Sequence, residues 1–117
     1  MKAFIFSSVI ILFIFAITLA NGFFVQKAAA CLIDEAQEMQ MGNGALESLT
    51  ARWSENRFFV SITTSQDEIL KIDDALAQLK EYEKQSNKSE FYSCRALLIE
   101  YLVQIKDDEE LSLDNII

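Results

Sequence analysis

The sequence predicts an all-α protein, a single N-terminal transmembrane helix followed by a small antiparallel helical bundle of three to four helices. Three observations carry that prediction. Residues Ala3 to Val25 form one uninterrupted apolar run, and beyond it apolar residues recur at spacings of three and four in four successive stretches. The 117 residues also include no Pro and only 3 Gly, too few turn formers for a strand-and-hairpin architecture.

The first element is the apolar run. No charge separates Lys2 from Lys27, and Ser7, Ser8, Thr18, Asn21 and Gly22 are the only residues between Ala3 and Val25 that are not apolar. As a helix this run spans about 34 Å, slightly more than the roughly 30 Å hydrocarbon core of a bilayer. So small a protein has no core in which to hide such a surface, which leaves an anchor or a signal sequence. Length favours retention, and residues 1–27 read as a transmembrane anchor or uncleaved signal. Two processed forms stay open. Thr18 and Ala20 are small enough for signal cleavage after Ala20, and Ala28, Ala29 and Ala30 before Cys31 resemble an imperfect lipoprotein site. The amino terminus and Lys2 flank one end, whereas Lys27 is soon followed by Asp34, Glu35 and Glu38. The positive-inside tendency therefore predicts a single-pass cell-membrane protein with a cytoplasmic N-terminus and an extracytoplasmic C-terminal domain.

Residues 28–110 read as that extracytoplasmic bundle. Leu32, Ala36 and Met39 form a stripe that continues the anchor helix, and Gly42, Asn43 and Gly44 then have the composition of a helix stop and reversal. A second helix is expected from about Ala45, with the stripe Leu46, Leu49, Trp53 and Val60 and with Phe58 and Phe59 adding bulk. The hydroxyl-rich stretch Ser61 to Ser65 breaks it. Ser65 and Glu68 fit a capping box ahead of a third stripe, Ile69, Ile72, Leu76 and Leu79, which is one residue out of phase with the second. After the polar link Ser86 to Ser89, Phe91, Cys94, Leu98, Tyr101 and Ile105 make the longest repeat, widened by Leu97 and Leu102. Four stripes joined by short links fit an up-down-up-down bundle, with three helices and a mobile first segment as the alternative. Trp53 is the largest expected core anchor. The acidic run Asp107 to Glu110 opposes the dipole at a helix C-terminus, which predicts that the last helix ends near Lys106.

Composition excludes much chemistry. The chain has no His, its charge is −8 from 10 basic and 18 acidic residues, and all of the acidic ones follow Lys27. A nucleic-acid partner is not expected of so acidic a chain, nor is a basic membrane-hugging surface. Hydrophobic residues make up 51%, too many for disorder. No nucleophile has a base, so no enzyme and no cofactor are expected. Asp34, Glu35 and Glu38 read as a solvated face because two carboxylates one turn apart make a poor metal site. Asp73 and Asp74 point about 100° apart and read as surface charges. Asn87-Lys88-Ser89 matches a glycosylation acceptor by chance alone.

Cys31 and Cys94 are a possible disulfide or free thiols. An up-down-up-down bundle puts them at different heights, which favours free thiols, while a disulfide within or between chains stays open. Residues 111–117 read as an apolar C-terminal tail. Four large aliphatics in Leu111-Ser112-Leu113-Asp114-Asn115-Ile116-Ile117 suggest docking, against the protein's own bundle or against a partner. Leu111, Leu113, Asn115, Ile116 and Ile117 are the candidate partner contacts.

The N-terminal apolar segment, Trp53, the stretch from Asp67 through Ile69, Ile72, Leu76 and Leu79, and above all the ending Leu111 to Ile116 resemble a family of small proteins from clostridia-like spore formers, domain of unknown function family forty-three sixty-three. The resemblance implies a membrane-anchored helical topology and no mechanism. Its genes' frequent neighbourhood with multi-span membrane proteins implies an accessory role. The functional expectation is a non-enzymatic interaction module or accessory subunit whose partner is another membrane or envelope protein, a second copy of the chain being a further candidate. Alternatives are a secreted or lipid-anchored factor and a small-ligand sensor with an apolar pocket of Trp53, Phe59, Phe91 and Tyr101.

Overall fold

A computed structural model of the chain describes the backbone from Lys2 to Ile116 and the side chains from Lys2 to Leu111. Its first element, α1 (Lys2–Glu38), is a single helix in which two kinds of surface follow one another without a break. Its most apolar 18 residues contribute nothing to the interior, and only from Gly22 onward does one stripe become buried. That stripe is Gly22, Val25, Ala29, Leu32, Ile33 and Ala36. The apolar first segment and the first bundle helix are therefore one rod, as the run of stripe residues through Met39 predicts. The division at residue 27 falls inside this helix.

Three further helices complete the structure, α2 (Ala45–Thr63), α3 (Gln66–Lys84) and α4 (Lys88–Ile116). Packing links α1 to α2, α2 to α3, α3 to α4 and α4 back to α1, so the four form a ring with α2 and α4 at opposite corners. The molecule measures 68 × 22 × 22 Å because the N-terminal half of α1 projects from this bundle as a bare rod. The predicted stripes form the interior. Leu46, Leu49, Trp53 and Val60 of α2, Ile69, Ile72, Leu76 and Leu79 of α3, and Phe91, Cys94, Leu98, Leu102 and Ile105 of α4 are all buried. Leu97, expected to widen the last stripe, is instead 45% exposed, and Tyr101 is half-buried.

Each reversal has a specific chemical cause. Gly42 and Gly44 adopt φ of +84° and +79°, a left-handed backbone that residues with a Cβ rarely occupy, and Asn43 Oδ1 accepts from the Ala45 N–H. Ser65 caps α3 by accepting from the Glu68 N–H, as the capping-box spacing predicts. The α3–α4 link closes by a left-handed Ser86, with the Ser86 N–H donating to the Glu83 carbonyl and the Asn87 N–H to the Tyr82 carbonyl at 2.9 Å. Asn87 Oδ1 then accepts from the Glu90 N–H, so this asparagine caps α4.

One boundary differs from expectation. The helix predicted to end near Lys106 continues to Ile116. Glu109 is 6% exposed and extends the Leu102 and Ile105 stripe by one further turn. Continuation also removes the four consecutive carboxylates from the last turn, where an unfavourable dipole interaction of about 0.3–1 kcal/mol acts.

Two consequences for stability follow, both measurable on the detergent-solubilised full-length chain. Trp53→Ala should destabilise the bundle by about 3–5 kcal/mol in chemical unfolding, because a 3% exposed indole at its centre is lost. Ser86→Gly should raise the melting temperature, with a gain of up to about 1 kcal/mol, by relieving a non-glycine left-handed residue.

Candidate functional site

The polar groups of the bundle gather at three heights. At the centre, the Trp53 indole N–H donates to Asp73 Oδ1 at 2.7 Å, and Arg57, one turn further along α2, donates to both Asp73 oxygens through Nε and Nη2. Asp73 is thus not the surface charge that its adjacency to Asp74 suggested. It answers the requirement that a buried indole N–H find an acceptor. A signal for it exists in the sequence: Trp53 and Arg57, spaced i and i+4, present a donor pair to whichever helix packs against them. Burial raises the Asp73 carboxyl pKa, but the hydrogen bonds from Arg57 and Trp53 and the Arg57 charge outweigh it and hold the carboxyl below its ordinary value.

The second group closes the end of the bundle farthest from the bare rod. Arg95 Nη1 donates to the Met39 carbonyl at 2.8 Å, satisfying a backbone group at the end of α1 while its guanidinium lies 5.0 Å from the Tyr92 ring centroid. Glu83 Oε2 and the Tyr92 hydroxyl accept from the Gly42 and Met41 N–H groups. Lower down, Arg52 pairs with Glu35 at 2.7 Å, so Glu35 leaves the solvated face on which it was expected.

The third group stands where the bundle meets the bare rod. Glu68 of α3 faces Asp108 of α4, and it does so in place of the return contact to the Ser65 backbone that a capping box supplies. Burial raises the Glu68 pKa, and the nearby Asp108 charge and hydrogen bond raise it further, against a smaller lowering by Lys71. On the α2 side the same height is apolar. Phe58, Phe59 and Ile62 are exposed, with Phe59 set edge-on to Phe24 of α1 at 5.3 Å between centroids.

The cysteines are far apart in environment. Cys31 is exposed, Cys94 is buried with its Sγ 3.4 Å from the Ala75 carbonyl, and both are free. Burial pushes the Cys94 thiol pKa up and the Glu90 charge adds to it, so little nucleophilic thiolate forms there. The four aromatics considered for a ligand pocket are not brought together. Trp53 sits among Leu32, Leu49, Ile72, Leu76, Leu98 and Leu102 with no space for a water molecule, Phe91 is fully buried, and Phe59 lies outside against Phe24. Among the described residues no three Cys, Asp or Glu side chains converge as a metal site would require. Of the candidate partner contacts, Leu111 is 63% exposed, and the side chains of Leu113, Asn115, Ile116 and Ile117 lie outside the described residues.

Comparison with known proteins gives a family and no activity. The family model described as Domain of unknown function (DUF4363) matches residues 27–116, beginning where the apolar run ends. No curated protein and no solved structure matches the chain.

The two perturbed carboxylates have opposite consequences for stability. Asp73, with its pKa lowered in the folded state, contributes stability that is present above the ordinary aspartate pKa of about 3.9 and is lost as pH falls through its folded value. Asp73→Ala should cost about 1–3 kcal/mol at neutral pH, mainly by orphaning the Trp53 N–H, and the deficit should shrink on acidification. Glu68, with its pKa raised, disfavours the folded state when ionised. Glu68→Gln should therefore raise the melting temperature at pH 7 and lose that advantage as pH drops below about 4.3, the ordinary glutamate value. Melting curves from pH 3 to pH 7 check both signs.

Proposed function

The chain belongs to the DUF4363 family, and we propose that it is a non-enzymatic, single-span membrane protein whose acidic bundle stands outside the cytoplasm and binds another membrane or envelope protein. The observation that carries this reading is the continuity of α1. A rod that is apolar on all sides over its N-terminal half becomes, without a loop, a core helix of the bundle. Such a connection holds the bundle rigidly at a fixed height above a bilayer, which suits a subunit that presents a surface to a neighbour. The contact surface in this reading is the far end of α4 from Leu111 together with an adjoining bundle face. All 18 acidic residues of the chain lie in that bundle, and the resulting negative charge keeps it soluble and discriminates against acidic partners.

A second reading has an observation in its favour. The packed interior starts at Gly22, so signal cleavage after Ala20 would leave every buried residue of α1 in place and release a soluble factor. Cleavage before Cys31 is less compatible with the fold, because it removes the fully buried Val25 and Ala29.

Affinity capture from solubilised membranes, with a tag at the amino terminus, separates the two. The expected result is a full-length bait accompanied by a membrane protein in stoichiometric amount, and separation of the tag from the bundle would establish release instead. Deleting Leu111 to Ile117 should reduce capture of that companion several-fold while leaving the melting temperature of the bundle within a few degrees of the parent; undiminished capture would exclude the end of α4 as the contact.

A further inference from the structure

The exposed apolar residues outside the bare half of α1 are not spread evenly. Leu70, Tyr92, Leu97, Val103 and Leu111 lie singly along α3 and α4, whereas Phe58, Phe59 and Ile62 fall within five residues at the end of α2, at 69%, 45% and 59% exposure. They share one helical face with Glu55, one turn further from the bare rod. From Phe58 to Gln66 the chain carries no charge at all, although charged residues occur at Arg52, Glu55 and Arg57 just before and at Asp67 and Glu68 just after.

The height of this patch is fixed by ring contacts. Phe24 of α1 lies 5.3 Å from Phe59 at 65°, and Phe59 lies 5.6 Å from Phe58 at 80°. Phe24 precedes Lys27, the first charge after the apolar run, by three residues or about 4.5 Å. Because α2 runs antiparallel to α1, Ile62 lies roughly another turn deeper, opposite Ala20 and Asn21. There Ile17, Ala20, Asn21, Phe24 and Phe59 line an open cleft of about 340 Å³ between the rod and the end of α2.

We propose that the end of α2 is a membrane-seated foot: Phe58, Phe59 and Ile62 insert among the acyl chains of the phospholipid leaflet that surrounds α1, and one acyl chain occupies the cleft beside Phe24. This rests on the reading of α1 as a membrane anchor. Two features select lipid as the occupant. The patch is continuous with the all-round apolar surface of α1 at the same height, and two of its hydroxyls are taken up by local backbone bonds, the Ser61 hydroxyl donating to the Phe58 carbonyl and Ser65 Oγ accepting from the Glu68 N–H. The seat is also one-sided. At the opposite corner of the ring, α4 carries Asp107, Asp108 and Glu110 at the same end of the bundle, and these stay with the headgroups and water. A rod held at one point can tilt freely; a rod with a foot beside it tilts only by pulling the foot out of the acyl chains or driving it deeper. Seating α2 therefore holds the bundle at a set tilt against the bilayer surface.

The test uses the full-length chain with Cys31→Ser, Cys94 being buried and poorly reactive. Single nitroxide labels are attached through Phe58→Cys, Ile62→Cys, Glu55→Cys and Ile11→Cys, and the protein is reconstituted in phosphatidylcholine vesicles. Collision rates with oxygen, which concentrates in lipid, are compared with those of a water-soluble nickel chelate. The expected result is an oxygen-to-nickel ratio at positions 58 and 62 that is several-fold above that at 55, higher at 62 than at 58, and below that at the mid-span position 11. Labels at 58 and 62 that match 55, with 11 still in lipid, would overturn the foot while leaving the anchor intact. A water-exposed label at 11 would overturn both. Positions 58 and 62 closed to both reagents would show a protein covering the patch and would also overturn the proposal.

Discussion

The structure depends on one helix meeting two different requirements along its length. From Ala3 to Ala20, α1 offers apolar side chains in every direction, and from Gly22 it offers them along a single stripe. The change of pattern, with no change of backbone conformation, is what lets one element project from the bundle and also form its core. The other three helices are arranged around that second half, and their shared interior begins at the height where α1 first acquires a buried face. Any break near Gly22 would separate the bundle from the projecting rod, and none is present.

Within the bundle, apolar packing supplies the bulk and a few polar contacts supply the register. Stripes of Leu, Ile and Ala can slide by a turn at modest cost, since each side chain finds a similar neighbour. The Trp53 indole cannot, because its N–H must meet Asp73, and Asp73 in turn receives the forked guanidinium of Arg57. At the distal end Arg95 anchors to the last carbonyls of α1, which fixes α4 against α1 in the same way. These contacts involve partly exposed groups and are individually worth little as ion pairs. Their weight lies in specifying one arrangement among several that would bury similar apolar area.

How much of this was legible in the sequence differs by kind of feature. The helix starts at Ala45 and Gln66 were readable because each is marked by local chemistry, glycines around Asn43 in one case and the Ser65 cap in the other. The buried stripes were readable because periodicity reports burial directly. The role of Asp73 was not, because two adjacent aspartates look identical in sequence and only the placement of α2 against α3 distinguishes them. Likewise Phe59 belongs to no core. Its partner, Phe24, is 35 positions away, and only the antiparallel descent of α2 beside α1 brings the rings together.

The extent of α4 shows the same division. Local electrostatics predicted an end near Lys106, yet packing of Ile105 and Glu109 carries the helix on to Ile116. By itself the sequence determined the all-helical class, the apolar first segment, the reversals and the family, because propensity, capping and hydrophobic period act over a few residues. Tertiary structure alone decided which carboxylate serves the buried indole, where the last helix stops and which aromatic residues gather beside α1. Those outcomes depend on distances between residues remote in the chain, and the ring of four helices sets those distances only once it has closed.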